Sequence, residues 1–86
     1  MDRGTVRIKV LLFARLRELA GADSLDLDLA QGATVGEVWR QVQASHPALE
    51  AYRSAPLAAV NLDYAPLDTP LVGSVEVAFF PPVSGG

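Results

Sequence analysis

Residues 5–42 read TVRIKVLLFARLRELAGADSLDLDLAQGATVGEVWRQV, and the fold turns on this stretch. It opens in strand alternation. Val6, Ile8, Val10 and Leu12 fall on one face, and Thr5, Arg7 and Lys9 on the other. At Leu11 and Phe13 the second face turns apolar as well, the pattern of a strand that is central in its sheet or covered at that end. Residues 14–20, ARLRELA, are good helix formers, and Gly21 can cap them. They predict a short helix with Leu16, Leu19 and Ala20 inward. Residues 24–29, SLDLDL, alternate strictly, so Leu25, Leu27 and Leu29 form the dry face of an edge strand. Thr34 and Glu37 make a Thr-x-x-Glu capping box. Val35, Val38, Trp39 and Val42 then fall at i, i+3, i+4 and i+7, which predicts the main helix, ending at about Ser45 before Pro47. Trp39 reads as its core anchor, and Gly36 as a site of close packing.

Beyond that stretch the signals are shorter. A helical turn is expected around residues 49–52, and a strand over residues 57–62, LAAVNL, with turn chemistry beginning at Asn61 and Asp63. Residues 64–70 hold two prolines, which limits them to a loop or a short edge strand. Leu71 and Val72 are expected in the core before a turn at Gly73 and Ser74. Residues 75–80, VEVAFF, form a strong strand with Val75, Val77 and Phe79 on its core face. Two early strands, a helix across the sheet and returning strands predict an α+β fold of β-grasp type, a mixed sheet with one main helix on one face. Residues 1–80 are read as that domain and residues 81–86 as an extended tail.

Composition narrows the function. The chain has 86 residues, one domain's worth, half of them apolar and 20% charged. So small a domain has little room for an active site with its own supporting shell, which favours a carrier, binding module or subunit. It has no cysteine, hence no disulfide, thiolate metal site or cysteine nucleophile. His46, the single histidine, cannot build a multi-histidine site and reads as a surface residue at a helix end. Asp23, Asp26 and Asp28 lack a calcium-loop glycine or further ligands and read as a solvated face, so no metal is expected. The net charge of −3 argues against nucleic-acid binding. No apolar run is long enough for a signal peptide or membrane span, so a cytoplasmic protein is expected. Lys9 is the only lysine, beside six arginines.

The last six residues, PPVSGG, hold the candidate chemistry. Pro81 and Pro82 end the strand and stiffen the base of the tail. Val83, Ser84, Gly85 and Gly86 make a slim arm, with the Gly86 carboxylate at its tip and no glycine side chain to hinder entry into a tunnel. Phe80 lies opposite the core face of its strand, as Leu11 and Phe13 do on theirs. If those strands are neighbours, the three make an apolar patch at the base of the tail, the mark of a partner surface. Arg15 and Arg17 lie near the same end and are candidates to meet acidic partner groups.

VEVAFFPPVSGG closely resembles the C-terminus of the small, sulfur-carrying subunits of molybdopterin synthase, which are ubiquitin-like proteins. Residues 10–21, VLLFARLRELAG, and 57–61, LAAVN, resemble that family's first stretch and middle strand, in the family's order. Residues 71–75, LVGSV, depart from its common acidic turn, a structural difference. The resemblance implies that a ubiquitin-activating-type enzyme uses ATP to adenylate Gly86 and that a sulfur donor replaces AMP to leave a thiocarboxylate. It implies that Pro81 to Gly86 insert into the large synthase subunit, within an expected heterotetramer. There sulfur passes to a pyranopterin precursor to build the dithiolene, and the chain itself binds no cofactor. A carboxylate expels oxide poorly, so adenylation supplies the leaving group, and general bases and phosphate clamps must come from partners. Three alternatives stay open. They are a related carrier for thiamine, tRNA thiolation or cysteine synthesis, a protein modifier joined to lysines, and a β-grasp interaction module whose tail is idle.

Overall fold

The computed structural model describes residues 4–50 and 56–81. The elements run β1 (Thr5–Leu12), α1 (Ala14–Ala20), β2 (Ser24–Ala30), α2 (Val35–Ser45), α3 (Pro47–Glu50), β3 (Leu57–Val60), β4 (Asp63–Tyr64) and β5 (Val75–Phe80). The strands form one sheet in the order β2-β1-β5-β3-β4. β1 and β5 run parallel, and every other pairing is antiparallel. This is the expected mixed sheet, with β1 inside it and β2 at one edge.

Alternation does what it predicts. Val6, Ile8, Val10 and Leu12 are buried, together with Val77 and Phe79 of β5. The stripe of α2 (Val35, Val38, Trp39 and Val42) packs on that face, and Trp39 meets Phe79 with ring centroids 5.1 Å apart. Gly21 caps α1 in the left-handed conformation at φ 76° and donates its N–H to the Arg17 carbonyl. Leu16 on α1, which connects β1 to β2, is buried in the same core.

At the start of α2 the Glu37 N–H donates to Thr34 Oγ1 at 3.2 Å, and the Thr34 N–H to Glu37 Oε1 at 2.9 Å. Both halves of the capping box are therefore made. Thr34→Ala removes one of them, and we expect a loss of about 1 kcal/mol. A thermal melt should read this as a Tm lower by about 4–8 °C, with the fold retained. The Gly36 N–H donates to the Leu67 carbonyl at 2.7 Å, and a Cβ on Gly36 would stand 3.2 Å from that oxygen. The predicted close packing is backbone against backbone.

Four expectations needed adjustment. β1 ends at Leu12, because Phe13, still extended at φ −123°, is already the N-cap of α1. The helical turn sits at Pro47–Glu50, where proline suits a first helical position; residues 51 and 52, also assigned to it, lie outside the described residues. Val72 is 69% exposed, and only its neighbour Leu71 enters the core. The strand read over residues 57–62 stops at Val60, because Asn61 and Leu62 both take positive φ, 48° and 77°. They form a two-residue hairpin loop that pairs Val60 with Asp63 and Ala59 with Tyr64. Asparagine accepts that conformation; a leucine held there costs about 1–2 kcal/mol.

Candidate functional site

The face of the sheet away from α2 changes character along its length. Near the start of β1 it is charged. Arg7 stands across from Asp28, and Lys9 from Asp26. Arg7 donates through Nε to Asp28 Oδ1 at 2.9 Å. That hydrogen bond first, then the Asp28 charge and more weakly Asp26, hold the Arg7 pKa above its ordinary value. A raised pKa on a cation means stability present below the unfolded value and lost only as pH passes the folded one, beyond the usual working range. Both side chains are exposed, so the pair adds little. Among the described residues no group of three or more His, Cys, Asp or Glu gathers to hold a metal. His46 caps the end of α2, with Nδ1 3.2 Å from the Val42 carbonyl oxygen.

Toward the end of β1 the same face is apolar. The parallel register sets Leu11 beside Ala78, and the antiparallel one sets Leu57 beside Phe80. The Phe13 and Phe80 rings stack at 4.9 Å with planes 6° apart, and Tyr64 tilts onto Phe80 at 6.3 Å. Around them lies a cleft of about 210 Å³, lined by Leu11, Phe13, Ala78 and Phe80, with Ala59, Leu62 and Tyr64 closing one side. Glu76 is its one charged lining residue. β5 lines this cleft with Glu76, Ala78 and its last residue, Phe80, so the strand ends in the cleft's floor.

The structure thus brings Leu11, Phe13 and Phe80 together. It separates Arg15 from Arg17. Arg17 shares a groove with Lys9, Leu11 and Phe13, whereas Arg15 lines none of these hollows and lies 3.4 Å from Glu18 Oε1. Helical residues two apart point about 200° from each other, so the two arginines could not share one direction. Sequence reasoning missed Leu62, Tyr64 and Leu57. The signal available for the first two was the turn-forming Asn61 directly after a strand, which folds the next residues back beside it. Pro81 is partly buried, and Pro82, Val83, Ser84, Gly85 and Gly86, the rest of the expected arm, lie outside the described residues.

The description "ThiS family" matches residues 10–86, nearly the whole chain and the tail with it. The chain belongs to the ThiS family. A curated relative from Escherichia coli, named molybdopterin synthase sulfur carrier subunit, is 46% identical over 82 residues, covering 92% of this chain and 99% of that one. Among solved structures, the small archaeal modifier protein 1 of Haloferax volcanii superposes with a TM-score of 0.81 at 30% identity, covering 91% of this chain and 99% of that one. The complex of subunits 1 and 2 of the molybdopterin-converting factor from Helicobacter pylori contains the same fold, with a TM-score of 0.62 at 20% identity over 94% of this chain and all of that one. The chain therefore has the ubiquitin-like β-grasp; its element order predicts the β-grasp, and the family resemblance its ubiquitin-like kind. No helix among the described residues is long and apolar enough to cross a membrane.

Proposed function

We propose that this chain is the sulfur carrier subunit of a molybdopterin synthase, with Gly86 as the residue that carries the sulfur. The observation that supports it most is the match that runs through residue 86, joined to relatives that bear this name over nearly their full length. In this reading the carboxylate of Gly86 attacks the α-phosphorus of ATP on a ubiquitin-activating-type enzyme and pyrophosphate leaves. A sulfur donor then displaces AMP, and the acyl group becomes a thiocarboxylate. Its sulfur is a softer and better nucleophile than carboxylate oxygen. Pro81 to Gly86 thread into the large subunit, where sulfur passes to the pyranopterin precursor; two carriers and two large subunits make the complex. ATP is consumed by the activating enzyme, and the carrier holds no cofactor. The chain acts in the cytoplasm and is a sulfur-donating subunit, with catalysis supplied by its partners.

The cleft suits this role. Leu11, Phe13 and Phe80 offer apolar area at the point where the tail departs, and a large subunit that covers them aims the arm at its own pocket. Arg17, in a neighbouring groove that shares Leu11 and Phe13 with the cleft, can meet an acidic group there. The proline pair limits the conformations lost on insertion.

The test is the intact mass of the protein isolated from its host under thiol-protecting conditions. A species heavier by the difference between sulfur and oxygen, located to Gly86 by fragmentation, is the expected result. Lysine-linked adducts of Gly86 without that species would replace the carrier reading with a modifier. The archaeal modifier's likeness makes that the reading to test against.

A further inference from the structure

Of the three described non-glycine residues at positive φ, Ala14, Asn61 and Leu62, only Leu62 carries a large apolar side chain. It sits at φ 77°, where glycine or asparagine is more stable than leucine. Its side chain is 88% exposed, so it returns almost no burial to the fold. The turn cannot relax around it. Asn61 donates its N–H to the Glu76 carbonyl at 2.8 Å, and its Oδ1 accepts the Glu76 N–H at 3.0 Å, which fastens the turn to β5. Leu62 stands on the wall of the cleft that Phe80 floors, with the exposed ring of Tyr64 beside it.

We propose that Leu62 is a docking residue, held out in a strained turn so that its side chain enters an apolar socket on the large synthase subunit. The inference rests on the carrier reading above. The occupant is identified by reach. Six residues after Phe80 span at most about 20 Å, so the protein that receives Gly86 comes within that distance of the cleft, whose wall carries Leu62. The large subunit forms the lasting complex in that reading, and a lasting partner is the one that keeps an apolar side chain out of water; the activating enzyme meets it only in passing. Strain kept at an exposed position is then the mark of a residue retained for a contact the free chain does not make.

The experiment measures both quantities on the full chain: thermal melting, and titration calorimetry with the large subunit from the same organism. Leu62→Gly and Leu62→Asn both accept positive φ. We expect each to raise Tm by about 2–5 °C and to weaken the complex tenfold or more, the scale of one lost leucine contact. Leu62→Met, which keeps an apolar side chain, should bind within about twofold of the native chain. Unchanged affinity in Leu62→Gly and Leu62→Asn overturns the docking role while leaving the carrier reading intact. A native chain that does not bind the large subunit at all overturns the carrier reading itself. A native dimer in sedimentation that Leu62→Gly dissociates assigns the residue to self-association and overturns the proposal as well.

Discussion

A chain shortened by Gly85 and Gly86 will melt at the native temperature and deliver no sulfur. The buried core runs from Val6 to Phe79, so its packing is complete before the tail begins. Removing two glycines takes away no buried side chain. The same cut moves the carboxylate that adenylation requires back to Ser84, two residues short, up to about 7 Å of reach. A pocket that positions a reacting sulfur does not forgive a displacement on that scale. Dithiolene formation with precursor, large subunit, activating enzyme, ATP and a sulfur source should fall to the rate seen without carrier. Tm and far-ultraviolet dichroism should not move. Residual sulfur transfer by the shortened chain would remove Gly86 from the mechanism.

The second large effect separates two adjacent rings. Phe79 is fully buried and packs on Trp39; Phe80 points to the opposite face and lies half-buried over the cleft. Phe79→Ala should cost about 3–5 kcal/mol, the usual range for an aromatic removed from a core. A domain of this size holds on the order of 4–13 kcal/mol in all, so Tm should drop by about 15 °C or more and binding should fail through unfolding. Phe80→Asp should leave a cooperative melt. It would set a carboxylate into an apolar interface whose one charged lining residue is Glu76, with no cation among the residues lining the cleft. An unpaired charge buried that way should weaken the large-subunit complex more than 100-fold by calorimetry. Native affinity in Phe80→Asp would move the docking face elsewhere.

What the sequence disclosed was whatever depends on neighbours along the chain. The alternation of β1 and β2, the box at Thr34 and Glu37 and the stripe around Trp39 are local patterns, and each folds as it reads. The Leu11, Phe13 and Phe80 patch was legible one step further, since alternation gave each residue's face and only the pairing of β1 with β5 had to be supplied. The remainder depended on backbone choices with no periodic signature. Whether residues 61 and 62 prolong β3 or reverse it rests on two positive φ values, and leucine at the second is not the residue a turn rule expects. Tyr64 reaches Phe80 only because the chain reverses there. Val72 and Leu71 are adjacent and both apolar, yet Leu71 faces inward and Val72 outward.

The central place of β5 has a consequence for how the protein is made. The last strand in sequence lies in the middle of the sheet, hydrogen-bonded to β1 on one side and β3 on the other. A nascent chain still lacking β5 therefore has two raw strand edges facing a gap and no place for Trp39 to dock. Folding must wait until residue 80 has left the ribosome, and the closure joins partners some seventy residues apart, the slow kind of contact. A copy truncated before that point stays open to proteolysis, and a copy that folds has already been translated to the base of its arm. Completion of the sheet thus acts as a length check, so that the apolar cleft is assembled only on chains translated as far as the base of the arm.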